Sequence, residues 1–240
     1  MKKITLTALL LIASLKAFCG IVDHDVMYQA YLDNNMSVWK TELQKYTTSS
    51  ELTTTDKLEI SNYLYGYIAS LLVDADKNKQ EINNWIALWE QYLNDIEQTT
   101  GKNAYAYVYR SSINAYKSKV KAGGMMVWGP RSLTELKRAL ATDPNNPLAN
   151  GLKGNMLFYM PGFVGGDKVE AIKWFEKALI GISASTDKTF RWNRCAITLC
   201  LAQAYEKTGN IEKAIEIAES ELQREPNYTF MRDTYLPSLK

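Results

Sequence analysis

The 240-residue chain is short of the side chains on which most enzyme chemistry depends. It has one histidine, His24, flanked by Asp23 and Asp25 near the start. A Ser–His–Asp or Cys–His triad needs a histidine held in a supported pocket, so His24 reads as a solvated capping residue. Three cysteines and one histidine form no cluster at zinc-ligand spacing. Six prolines and 13 glycines are too few for a chain built of β-turns or low-complexity linkers. Neither charge dominates: 28 basic against 26 acidic residues give +2, which offers no electrostatic basis for nucleic acid as a partner. Long apolar runs are also missing after the first twenty residues. No integral membrane segment is therefore expected in the rest of the chain.

Those first residues read as a secretory signal: Lys2 and Lys3, an uncharged stretch from Ile4 to Leu15, then small residues. Cleavage after Cys19 or after Ala17 satisfies the small-residue requirement. Phe18 before Cys19, and Lys16 three positions back, argue against a lipid anchor through Cys19. Removing residues 1–19 takes away three lysines and leaves 25 basic against 26 acidic residues, a net of −1. A near-neutral exported protein is expected, most simply in the periplasm of a bacterium. Cys195 and Cys200 would remain. Five residues along a helix separate their Cα atoms by about 7.5 Å of rise plus a rotation, too far for a disulfide. Both are expected to be small core residues.

What is abundant is apolar residues at 46% and helical periodicity throughout. The pattern predicts helices near 24–33, 35–46, 56–73, 79–98, 103–121, 132–142, 147–159, 168–180, 189–208, 211–224 and 228–235. Asn78, Ser132 and Asp167 each stand three before a Glu, the arrangement of a capping box. Gly123-Gly124, Gly209 and Pro226 follow the ends of apolar stripes, as stop signals do.

Signals for specific ligands fail on inspection. Asp74-x-Asp76-x-Asn78 starts like a calcium loop, but Lys79 replaces the turn glycine and Trp85 the bidentate Glu. Pro-Gly-Phe-Val-Gly-Gly-Asp (161–167) lacks the Gly-Lys-Ser/Thr ending of a phosphate loop. No cofactor, metal or catalytic residue is expected.

The last helix pair runs Ala202-x-x-Tyr205, then Gly209, Ala214, Ala218 and Pro226. Small residues let the two helices approach, Tyr205 fills between them, Gly209 turns the chain and Pro226 ends the second helix. Ten residues after Pro144 comes Gly154, with Leu157 at the Tyr205 place and Ala171, Phe175 and Ala178 at second-helix spacing. From Pro144 to Pro226 is 82 residues, 14 beyond two periods of about 34. Five extra residues fall between Gly154 and Ala171 and nine between Ala178 and Cys195, both in Gly- or Ser-containing loops. This spacing resembles the tetratricopeptide repeat (TPR). The stretch from Asp143-Pro-Asn-Asn-Pro to Phe175-Glu-Lys-Ala is similar to exported bacterial TPR proteins with a Gly-Gly insert within a repeat. Glu221 departs from the small residue usual at its place, which predicts looser packing or an exposed face in the final pair.

The resemblance implies an all-α, right-handed TPR-like solenoid of antiparallel helix pairs. It would comprise an N-terminal helical cap (20–54), degenerate repeats (55–131), recognisable units (132–226) and a C-terminal cap (227–240). It also implies a non-catalytic interaction module, with a protein or peptide segment as partner and the first helix of each pair lining a concave groove. Carried over by register, that groove holds Tyr63, Tyr67, Tyr109, Tyr116, Lys117, Asn155, Phe158, Tyr159 and Gln203, with Leu199, Glu206 and Lys207 beside Gln203. Tyrosines suit extended peptides or ring-like ligands, offering apolar area and a hydroxyl at low entropy cost. The alternative is a periplasmic small-molecule binder associated with transport. Two apolar loops, 123–130 and 160–166, form a second candidate. Met125, Met126, Val127 and Trp128 would lie at one edge with Phe163 and Val164, either packed on one another or open to a partner.

Overall fold

In the computed structural model, the described residues are 21–49 and 51–240, and the twenty residues read as a signal lie outside them. Ten helices follow one another: α1 His24–Leu32, α2 Met36–Thr47, α3 Thr54–Leu71, α4 Lys79–Thr100, α5 Ala104–Val120, α6 Gly124–Thr142, α7 Pro147–Tyr159, α8 Lys168–Ser183, α9 Arg191–Lys207 and α10 Ile211–Arg224. A π-helical turn, Met231–Tyr235, leads into the short α11, Leu236–Ser238. The described residues contain no strand. Neighbours pair as antiparallel hairpins, α3 with α4, α5 with α6, α7 with α8 and α9 with α10, and these stack side by side.

Local chemistry explains most boundaries. Thr53 and Asp56 close a full capping box at α3. Asp167 accepts from the Val169 and Glu170 N–H groups at α8, as its spacing predicts. The Asp167 N–H goes to the Leu157 carbonyl and not to Glu170, so none of the three expected boxes closes in full. Asn78 turns its amide to the Leu71 carbonyl, and Glu81 instead accepts from Lys40, Tyr67 and Trp85. Ser132 is not a helix start at all. α6 begins eight residues earlier, at Gly124, after Gly123 takes the left-handed conformation. The segment 123–130 is therefore helix and not the loop the sequence suggests. Pro130 sits inside it and leaves the Met126 carbonyl without its helical N–H partner. Ser132 is buried mid-helix and donates to the Ser111 carbonyl of α5 at 2.8 Å.

Within the α7–α10 units the small-residue spacing has the expected meaning. A Cβ on Gly154 would lie 2.6 Å from the Phe175 ring, so the glycine is what lets α7 seat on α8. Ala171, Phe175, Ala178, Ala202, Ala214 and Ala218 are all buried. Tyr205 is only half-buried and donates to Glu176 of α8. Glu221 overturns its expectation. It is 1% exposed, held by Arg194, whose guanidinium bonds both carboxylate oxygens at 2.9 and 2.7 Å and reaches Glu225 at 2.9 Å. The large residue at a small-residue place is a buried salt bridge, not loose packing.

The stack curls far enough that its ends meet. Asn62 of α3 donates to the Thr189 carbonyl and the Asn193 side chain of α9, both at 2.8 Å. Tyr28 of α1 meets Cys195 at 3.4 Å, the Tyr31 and Tyr228 hydroxyls are 3.0 Å apart, and Thr229 donates to the Leu32 carbonyl. Lys188 and Arg191 both bind Asp25. At the centre, Trp39 of α2 and Trp192 of α9 stand edge to face at 5.3 Å. Both lie against Gly66 of α3, where a Cβ would fall 2.6 Å from Trp39 and 2.8 Å from Trp192.

Gly66→Ala should cost about 1–3 kcal/mol, the usual cost of overpacking a filled core, measured by urea unfolding. Glu221→Ala leaves the largely buried Arg194 guanidinium with Glu225 alone and should cost about 1.5–3 kcal/mol in the same assay, the range of charge-assisted hydrogen bonds. A loss below about 0.5 kcal/mol in either variant would show that its contact does not hold the stack, since that is the range of ordinary surface changes.

Candidate functional site

Closure of the stack converts the concave face into an interior. Tyr63, Tyr67 and Tyr109 are buried, with Tyr109 at 1% exposure, so these three cannot line an open groove. Tyr63 packs edge to face on Trp39 at 5.4 Å. The Tyr67 hydroxyl donates to Glu81. Tyr109 packs on Trp89 and lies toward Asn62. Phe158 is buried under the exposed Tyr159 ring, 4.7 Å away. Lys117 is tied to Glu90 at 2.6 Å. Gln203 is half-buried. Of the nine groove positions, Asn155 lines a cavity, and Tyr116 stacks at 7° on Tyr65, which also lines it.

That cavity, of about 280 Å³, lies where α1, α2, α3, α7 and α9 converge. Its aromatic wall is Tyr31, Trp39, Tyr65 and Trp192, and the sequence reading missed all four. Tyr31 and Tyr65 approach the Trp192 ring at 5.6 and 5.9 Å. Small residues, Gly66 and Ala69 on α3, Gly151 on α7 and Ala196 on α9, also line it; the room beside Gly66 is taken by the two indoles and that beside Gly151 by Ile197. The remaining helical signal was available: Asn62, Tyr65, Gly66 and Ala69 fall at i, i+3, i+4 and i+7, one face of α3. The choice of Tyr63 and Tyr67 took the neighbouring face.

Polar groups on this wall are few. Trp192 Nε1 and Asn155 Oδ1, on two of the lining residues, are buried and have no hydrogen-bond partner. Cys200 also lines it. The two cysteines are free thiols, as expected, but Cys200 faces the cavity and is not a core residue in the full sense. Burial pushes the Cys200 thiol up to about 12, so it is neutral and a poor nucleophile at neutral pH. Met36 supplies a second sulfur. Apolar rings with a few polar atoms can bind and orient a ligand.

At the edge, Met125, Met126, Phe163 and Val164 are exposed, with Met126 at 91% and Phe163 at 90%. The two segments therefore do not cover one another. Trp128 is half-buried, its ring flanked by Lys117 at 4.9 Å and Arg131 at 4.8 Å, and its N–H donates to the Ala122 carbonyl.

His24 is not a solvated cap. Asp23 caps α1, while His24 Nδ1 lies 2.8 Å from the Tyr63 hydroxyl and Nε2 is 3.5 Å from Glu59. Burial holds the imidazole below its ordinary range. Burial first, then the charges of Asp187 and Asp56, pushes Glu59 up to about 7. The acid form of Glu59 is thus favoured on folding, and stability falls as pH rises from 4.5 through 7. Glu59→Gln should match the parent at about pH 4 and be the more stable at about pH 8, by thermal unfolding at both. A pH-independent difference would show that ionisation of Glu59 is not the cause.

No family model matches the chain, and no curated protein does. Among solved structures, it is similar to the HusA haemophore from Porphyromonas gingivalis, with a TM-score of 0.58 and 21% identity over 77% of this chain and 93% of that one. It is also similar to TTC0263, a thermophilic TPR protein of Thermus thermophilus, with a TM-score of 0.52 and 13% identity over 87% and 90%. No described helix is long and apolar enough to cross a membrane. The helix-pair packing and these likenesses agree on one architecture: the chain has a TPR-like fold, an all-α solenoid of antiparallel helix pairs.

Proposed function

We propose that the protein is a non-catalytic binding module that holds a flat, largely apolar ring compound, a tetrapyrrole such as haem, in the aromatic cavity. The observation that carries this reading is the wall of Tyr31, Trp39, Tyr65 and Trp192 around a space of about 280 Å³ also lined by Ala69 and Ala196. Stacked and edge-on rings bind planar π-systems. At about 280 Å³ the space falls just below the usual range of ligand pockets, about 300–1,000 Å³, so it would take one edge of a macrocycle and not the whole ring. The similar haemophore fold supports the choice of ring. An extended peptide, the other occupant of such scaffolds, is disfavoured because Tyr63, Tyr67 and Tyr109 are inside. Export through the 1–19 signal, most simply to the periplasm, belongs to the same proposal.

Titration with haemin should sharpen and shift the haemin absorption band, quench tryptophan fluorescence and raise the melting temperature. Ala196→Phe fills the cavity from its wall and should weaken binding roughly tenfold or more, about 1.4 kcal/mol, without lowering stability. Unchanged spectra and melting in the parent, or undiminished binding by Ala196→Phe, would reject the cavity as a haem site.

A further inference from the structure

Most of the large exposed apolar side chains gather at one place, Val26 of α1 and Ile180 near the end of α8 lying elsewhere. Val73, Met126, Phe163 and Ile211 each stand where the first helix of a pair turns into the second, in four successive pairs. Their exposures are 91, 91, 90 and 46%. Because α3, α5, α7 and α9 contact one another in that order, these turns lie along one edge of the stack. Single exposed apolar residues are ordinary; a row at one edge marks a contact surface.

Charge singles out the middle of that row. Residues 98–134 contain six Lys or Arg and no Asp or Glu, and residues 144–166 contain no acidic residue either. Two of the six cations are neutralised, Arg110 by Glu97 and Lys117 by Glu90. Lys119, Lys121 and Arg131 make no ion pair among the described residues, and they bracket Met125, Met126 and Trp128. Lys168 follows Phe163 in the next turn but stands between Asp167 and Glu170, so the free cations are those beside Met126. Apolar tips ringed by uncompensated cations, with a tryptophan set just behind them, have the composition of an interfacial anchor.

We infer that this edge docks on an anionic lipid surface. Met126 and Phe163 dip between headgroups while Lys119, Lys121 and Arg131 meet the lipid phosphates. A second copy of the chain is a poor occupant, since a two-fold contact would set these cations against their own copies. The cavity and its ligand play no part in the inference.

The full chain is tested by flotation with vesicles of phosphatidylglycerol in phosphatidylcholine, against phosphatidylcholine alone, at low and raised salt. Met126→Ser/Phe163→Ser and Lys119→Glu/Lys121→Glu are made on the same background, so that any contribution of residues 1–20 cancels. Binding should require the anionic lipid and weaken with salt, and each double variant should lose roughly tenfold or more in affinity. Melting temperatures should not move, because all four side chains are exposed. Undiminished binding by the variants overturns the inference. So does failure of the parent to float; cross-linking from Met126 to an envelope protein would then assign the edge to a protein partner.

Discussion

Two indoles resting on a missing side chain hold this molecule closed. Trp39 and Trp192 belong to helices more than 150 residues apart, and both occupy the space that a Cβ at residue 66 would need. Around them the closure is made specific by directional bonds that apolar burial alone does not supply. Asn62 reaches the start of α9, Trp39 donates to the Met27 carbonyl at 2.6 Å, and Tyr31 meets Tyr228. An open solenoid needs only neighbour contacts. Here the first and last units also touch, so α1 lies against α9 and the inner face is sealed.

Sealing changes what the scaffold can bind. An open concave face of tyrosines would accept an extended chain. The closed one leaves an aromatic-walled space, and its rings are held by one another before any ligand arrives. Trp192 is the shared element: it touches Trp39, Tyr31 and Tyr65. Rigid, already desolvated rings lower the ordering cost of binding. The outer edge is chemically different. Its apolar groups point away from the core at the turns, beside cations that no acidic neighbour offsets. Cavity and edge are thus separate surfaces, one suited to a ligand and one to a support.

Legibility followed the range of the interaction. The α7–α10 units were readable because Gly154, Ala171, Phe175, Ala178, Ala202 and Ala218 meet over a few dozen residues and recur with a fixed period. The Asp167 cap was readable because its partners are two and three residues away. The segment 123–130 was misread because Gly and Pro together are a good sign of a loop. In the fold Gly123 only opens the helix, and Pro130 is tolerated inside it at the loss of one backbone hydrogen bond. Glu221 was misread because its identity made sense only beside Arg194, 27 residues away in sequence.

The sequence by itself determined the helices, their pairing and the solenoid architecture, since periodicity, caps and small-residue spacing act within one or two turns of chain. It also determined the scarcity of catalytic groups. Only the tertiary structure decided which face of α3 is inner, that Tyr63, Tyr67 and Tyr109 are core, and that Tyr31, Trp39, Tyr65 and Trp192 share one wall. Those outcomes depend on how far the stack curls. The curl is the sum of small rotations between pairs, fixed by side-chain contacts between residues up to 197 positions apart, and no local pattern encodes that sum.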